Sequence, residues 1–395
     1  MTVIYNPFDP SFVENPYPTY QGLREEDPAH QIMGAEGVLL LTRYKDVDEI
    51  LRDRNRFSVD HSNLKRGPEL AEVPYLSIAS ILFRDPPEHT RWRRTLAKAF
   101  TPAHVEAFRP RLREVIGELF DAIEEKGEVD FIEAFAAALP FQMIAEMMGT
   151  PPADRPQVHA WVSDIVNITE PVAPPEVAQA IARSSDEMRD YLKDLCAEKR
   201  AHPADDVISR MVTNDDGGFD EDELIQHVLL LHVSAPEPTT SLLAYGALAL
   251  ARNPEQAQVL RDDPSLDGDA VEEVLRYEAP LQLTGRYPLE DLEIHGRRIE
   301  AGTALVLSLA SANHDPARWG PTADDFDLRR SHAQDHLSFA RGIHTCFGAA
   351  LARLQGQETL GRLVRRFPEL KPAAPPEWNS LLNRRGPVKV PISVR

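Results

Sequence analysis

Two stretches of this 395-residue sequence hold side chains whose types and spacing suit chemistry as well as packing. The first is FARGIHTCFGAALAR, residues 339–353. A helical pattern, GAALARLQGQETLGRLVRRF, follows Cys346 and places the cysteine just before a helix N-terminus. Unpaired N–H groups and the helix dipole there favour a thiolate over a thiol. A thiolate is a soft, electron-rich ligand suited to iron. The ordinary role of a lone cysteine is a buried structural thiol. Structural zinc is the rival metal, but it takes four ligands at recurring spacings. Only His344 lies close to Cys346, and the other cysteine, Cys196, is remote in sequence.

The second stretch is SAPEPTTS, residues 234–241. It sets an acid, Glu237, beside two alcohols, Thr239 and Thr240, in a run that also holds Pro236 and Pro238. In a regular helix interior each proline removes a donor and costs about 3 kcal/mol. The carbonyls of His232 and Ser234 lose their helical partners, so a helix is predicted to open here. Two shorter patterns say less alone. Glu273-x-x-Arg276 and His89-x-x-x-Arg93 each put two polar side chains on one helix face, and a solvated surface pair is the plain alternative. No G-x-S-x-G elbow and no G-x-x-x-x-G-K-[ST] phosphate loop occurs.

The elements that must position these residues are mostly helices. Apolar residues recur at three-to-four spacing over 102–126, 130–149, 184–200, 221–252 and 268–279. Strand signals are confined to 36–44 and 285–310, which read as hairpins. The proline-rich stretches near 150–156 and 171–175 read as loops between helices. There is no internal repeat and no low-complexity linker. The pattern predicts one large domain over residues 1–395, mainly α with a minor β region, although length alone suggests two or three domains.

Phe339, Gly342, His344, Cys346 and Gly348, followed by Ala352-Arg353, resemble the heme-binding signature of the cytochrome P450 family. One position departs: Ala340 stands where the family usually has glycine. The resemblance covers nearly the whole chain and implies the single-domain P450 fold, with heme b between a long central helix and the cysteine loop. It implies Cys346 as the axial iron ligand, with Phe339 and Gly348 beside the ring. Gly342 and Gly348 would let backbone lie close to the flat macrocycle. DPPEHTRWRRTLAKAFTP (85–102) resembles the family's propionate-binding helix, which implies propionate contacts from His89 and Arg93, joined by Arg286 and His344. Glu273 and Arg276 match the family's structural ExxR pair, and His314 to Arg330 match the loop that completes it. Residues 224–252 resemble the central helix over the heme. Thr239 matches the threonine that hydrogen-bonds iron-bound oxygen. The usual glycine and acid positions hold Pro236 and Pro238, and the acid stands one place back, at Glu237. A one-residue shift turns a side chain by about 100°, so altered proton delivery is expected, the alternative being that waters bridge the gap and the chemistry is ordinary.

The same resemblance implies an oxidoreductase acting on a small natural product by hydroxylation or by oxidative C–C or C–N coupling. The other class is a non-catalytic heme or ligand-sensing protein. Substrate contacts are expected in the 60–82 loop, near 163–180, and from Val233, Ala235, Gln282, Leu283, Thr284, Asn379, Ser380, Leu382 and Asn383. Their mixture of amides and apolar groups suits a peptide-like or aromatic substrate. No flavin or nicotinamide domain is evident, so electrons are expected from ferredoxin and ferredoxin reductase. Arg91, Arg94, Lys98, Arg341 and Arg353 would dock them. The formal charge of −20 excludes nucleic acid and anionic membrane as natural partners. With no signal-peptide pattern and no run of ~18 apolar residues, a cytoplasmic monomer is expected.

Overall fold

In a computed structural model of the chain, the described residues are 3–35, 37–64, 80–170, 174–214 and 218–395. The middle of the expected substrate loop, 65–79, lies outside them, as do 171–173. The expected helices are present with altered boundaries. The periodic stretch 102–126 forms two helices, Pro102–Ala107 and Arg109–Lys126, because Phe108 is the joint and a proline opens the second. Within 130–149 a single π-turn, Ile132–Ala136, precedes Ala138–Met148. The stretch 184–200 is part of the longer helix Pro175–Ala201.

The central helix is two helices. Glu221–Ser234 begins at a capping box, in which the Asp220 side chain and Glu223 satisfy each other's backbone N–H groups. It ends at Ser234, and Pro236–Arg252 starts after Ala235. The two prolines therefore occupy a first turn, where N–H groups have no helical partner anyway. The interior cost expected from sequence does not apply.

The main sheet has five strands, in the order Ala29–Gln31, Val38–Leu41, Ala304–Ser308, Leu283–Pro288, Phe57–Ser58. Val38–Leu41 runs parallel to Ala304–Ser308, with Leu39 opposite Leu305 and Leu41 opposite Leu307. The remaining pairs are antiparallel. The 36–44 signal is thus one strand paired with 29–31, not a hairpin of its own. Buried Leu39, Leu41, Leu305 and Leu307 pack with Val47, Ile50 and Leu51 into a core beneath the sheet.

The larger core joins Pro236–Arg252, Asp267–Tyr277 and Ala349–Arg366. Close approach of backbones fixes their spacing. A Cβ at Gly246 would stand 2.5 Å from Leu360, and one at Gly356 would stand 2.8 Å from Val271. Ala349–Arg366 begins three residues after Cys346, so this packing fixes the end of the cysteine loop. Both cysteines are free, with Cys196 buried, so no disulfide joins them.

Candidate active site

The cysteine loop is closed by the backbone N–H of Cys346, which donates to the Phe339 carbonyl at 2.9 Å. Its turn requires left-handed backbone at Ala340 (φ 54°) and Gly342 (φ 73°). A Cβ at Gly342 would stand 2.3 Å from the Leu51 carbonyl oxygen. Gly342 is therefore required by packing on Tyr44–Arg52. Gly348 has open space where its Cβ would be. The loop rests on charged side chains. The Arg353 guanidinium lies 4.7 Å from the Phe339 ring centroid and donates to Glu272 at 2.6 and 2.9 Å. His336 Nε2 lies 3.2 Å from the same carboxylate. Burial pushes Glu272 upward, but Arg353 and His336 outweigh it and hold the acid at about 2.

Cys346 is exposed, yet surrounding protein desolvates its thiol. A group on the floor of a deep cleft has both properties. Burial pushes the thiol up, while the N–H groups of Gly348 and Ala349 and the charges of Arg93 and Arg353 pull it down. The net direction is upward, so the helix terminus alone does not produce the thiolate expected from sequence. A bound metal cation deprotonates a coordinating thiol outright.

His89, Arg93, Arg286 and His344 converge beside the cysteine. The His89 and His344 rings lie 4.4 Å apart. The Nε2 atoms of both are buried without a hydrogen-bond partner. Arg286 is buried, bonded among the described residues only to its neighbour's carbonyl at 2.7 Å, and desolvation depresses its guanidinium to about 10. Arg93 makes no ion pair among the described residues; it lies over the Phe347 ring and feels Cys346. Burial, with His344 and Arg93 nearby, pushes His89 down to about 4. Asp85 faces the cluster, its carboxylate 3.9 Å from His344 Nε2. It also accepts from Ser58 and, at 2.8 Å, from Asn63. Buried donors without partners are rare in folded proteins. Four cationic or donor groups against one engaged carboxylate fit an anionic ligand with several oxygens, as heme propionates are.

Glu273 and Arg276 are wholly buried and share two hydrogen bonds of 2.7 and 2.8 Å. Arg276 also donates to the carbonyls of Asn313, Ala323 and Asp325. Glu273 accepts from the Asp327 N–H and from Arg330. The surface-pair alternative is excluded.

On the opposite side, the Thr239 hydroxyl donates to the Ala235 carbonyl at 3.0 Å, and Thr240 donates to Pro236 at 3.1 Å. Glu237 forms an ion pair with buried Arg384. Val233 is buried and Ala235 half-buried beside the break. The polar groups expected to meet a substrate are mostly spent on the fold. The Gln282 amide donates to Ala279 at 2.6 Å, leaving its Oε1 buried and unpartnered. Asn379 bonds the backbone of Leu381, Arg384 and Gly386. Asn383 Oδ1 accepts from Leu283 N–H at 3.4 Å, and Leu382 N–H donates to Glu170. Thr284 lies in the sheet opposite Leu307. The expected docking patch is also partly neutralised, since Arg91 pairs with Glu223 and Arg353 with Glu272. Sequence reasoning passed over Asp85, Glu170 and Arg384. Asp85 lies four residues before His89, which is a readable signal; the other two partners are joined only in three dimensions.

Among the described residues no helix is long and apolar enough to cross a membrane, and no group of three or more His, Cys, Asp or Glu side chains could hold a metal ion. A family model described as Cytochrome P450 matches residues 29–263 and 268–390. Cytochrome P450 107B1 of Saccharopolyspora erythraea is 36% identical over 98% of this chain and 96% of its own length. Nocardicin C N-oxygenase of Nocardia uniformis is 35% identical over 98% of each chain. The solved structure of PksS, a cytochrome P450 of the Bacillus subtilis bacillaene polyketide synthase, superposes with a TM-score of 0.90 at 31% identity, covering 99% of this chain and all of that one. This chain belongs to the cytochrome P450 family.

Proposed function

We propose that this protein is a heme-thiolate monooxygenase that oxidises a small natural product of secondary metabolism, with Cys346 as the axial ligand of heme b. The family implies the heme. The observation that carries the assignment of residues is the exposed Cys346 thiol beside His89 and His344, whose Nε2 atoms are buried without partners, and beside Arg93 and Arg286, which form no ion pair among the described residues. His89, Arg93, Arg286 and His344 would hold the propionates, while Phe339 and Gly348 would border the ring. When bound, the heme supplies oxygen activation, which a thiolate ligand favours. Thr239 keeps its hydroxyl lone pairs free to accept while it donates to Ala235. Thr240 is held one position further along the same turn. Hydroxylation and oxidative coupling both remain within this chemistry. The relatives' names concern a polyketide synthase and the N-oxygenation of nocardicin C, which supports a secondary metabolite as substrate. Family members draw electrons from separate proteins; a ferredoxin and its reductase serve here.

The test begins with the reduced, carbon-monoxide-bound spectrum. The heme-loaded protein should show the red-shifted thiolate band, and Cys346→Ala should abolish it. A band that survives the substitution rejects Cys346 as ligand. Compounds that shift the heme's spin state are then turned over with surrogate redox partners. A gain of one oxygen identifies hydroxylation, and a loss of two hydrogens identifies coupling.

A further inference from the structure

Arg384 joins three segments that are remote in sequence. It is 5% exposed. One guanidinium nitrogen donates to Glu237, in the first turn of Pro236–Arg252. Another donates to Asn167 Oδ1 at 2.9 Å, and Nε lies 3.3 Å from Glu170 Oε1. Glu170 in turn accepts from the backbone N–H groups of Leu382, Asn383 and Arg384 at 2.8 to 3.2 Å. Asn167 and Glu170 lie just beyond the helix Arg155–Ile165. The next residue, Arg385, is anchored elsewhere, on the carbonyls of Val13 and Glu14 and on Glu278. The turn that presents Arg384 is therefore fixed from behind.

Two carboxylates share this one guanidinium, so the cluster carries a formal charge of −1. The two are not equivalent. Glu170 is 5% exposed and accepts three backbone hydrogen bonds beside its ion pair with Arg384, whereas Glu237 is 31% exposed and, among the described residues, forms an ion pair with Arg384 alone. Of the contacts to Arg384, the one to Glu237 is the one that can open without burying an unpaired charge.

We propose that Arg384 is a positioning residue for the oxygen side of the site. It holds the Glu237 carboxylate against the 167–170 segment and the 382–384 turn, so that the packing of those segments and the availability of the acid beside Thr239 are one equilibrium. The role of Glu237 in proton supply rests on the proposed function, but the coupling between segments does not. Reciprocity follows from linkage: whatever loosens 167–170 frees Glu237, and whatever removes Glu237 loosens 167–170.

The test uses the full-length, heme-loaded protein and its Glu237→Gln, Arg384→Gln and Arg384→Lys variants. Backbone hydrogen exchange is followed by mass spectrometry in peptides covering 160–170 and 379–386, with 109–126 as control. Glu237→Gln should speed exchange in both peptides by about threefold and leave the control unchanged. Unchanged exchange at 160–170 overturns the proposal. In turnover with surrogate redox partners, hydrogen peroxide released per NADH consumed should change in Arg384→Gln and be restored toward the parent value by Arg384→Lys. Because Arg384 acts through Glu237, the double variant should match Glu237→Gln; additive effects overturn the proposal. Should Arg384→Gln fail to take up heme, Glu237→Gln still decides by exchange. Loss of the carbon-monoxide band in the parent would sink the proposed function while leaving the exchange result standing.

Discussion

On the cysteine side, Glu272, Arg353 and His336 satisfy one another, and beneath them Glu273, Arg276 and Arg330 do the same out of reach of solvent. On the oxygen side, one guanidinium serves two carboxylates, and a helix restarts on two prolines. In the proposed function the first region would fix a ligand atom in space, which rewards a network with no spare bonds. The second would admit substrate, oxygen and protons, which rewards contacts that open at small cost. Removing one member of each network should expose the contrast.

The largest effect is expected at Arg276. Arg276→Met leaves buried Glu273 to the Asp327 N–H and the longer Arg330 contact and strips a donor from three carbonyls, which should cost about 3–5 kcal/mol. Glu237→Gln leaves Arg384 paired with Glu170 and should cost less than about 1 kcal/mol. Urea unfolding of both heme-loaded variants measures the difference. Equal losses would mean that the oxygen side is as tightly specified as the cysteine side.

Glu272 gives the next effect, and it depends on pH. The folded carboxyl sits at about 2, below its ordinary 4.5. A group depressed in the folded state stabilises above its unfolded value and loses that contribution as pH falls through the folded one. The window is therefore between pH 4.5 and 2, and the contribution is on the order of 3 kcal/mol. The parent should exceed Glu272→Gln in unfolding free energy at pH 6, with the gap closing toward pH 2.5. A gap that does not change with pH would show that Arg353 is not what holds this acid.

How much of this could be read from the chain follows from where each interaction's partners lie. The cysteine signature is contiguous, so Phe339, Gly342, His344, Cys346 and Gly348 could be read together. Glu273-x-x-Arg276 was visible as a pair, but its burial depends on Asn313, Ala323 and Asp325, which no spacing announces. Gln282 and Asn383 were legible as polar, but their bonds to Ala279 and Leu283 were not, because polarity says nothing about direction. Arg384 offered no signal, since Asn167, Glu170 and Glu237 meet it only after folding. Periodicity ran through Phe108 and Ala235 because it reports apolar spacing, and that spacing continues across a one-residue joint between consecutive helices.

Ala340 offers a smaller effect of opposite sign. Its φ of 54° is a backbone setting that costs a residue with a Cβ about 1–2 kcal/mol. Ala340→Gly removes that strain but gives back part of the gain through a freer unfolded chain. A net gain of about 1 kcal/mol should appear in urea unfolding, with the carbon-monoxide band unchanged. A loss would show that the methyl's packing against the core under the sheet outweighs the strain.

The smallest effect is expected at Pro238, and it bears most directly on the break. If Pro238 interrupted a helix that would otherwise be continuous, Pro238→Ala should recover about 3 kcal/mol. The structure places it in the first turn of Pro236–Arg252, where no N–H is required, and Ser234, whose carbonyl it leaves unpaired, is exposed. Alanine there gains little in the folded state and frees the unfolded chain. The net change should stay within about 0.5 kcal/mol. A gain near 3 kcal/mol would mean that the break is a strained insertion, with cost stored beside Thr239, and that the two sides of the site differ in strain instead of in the number of spare contacts.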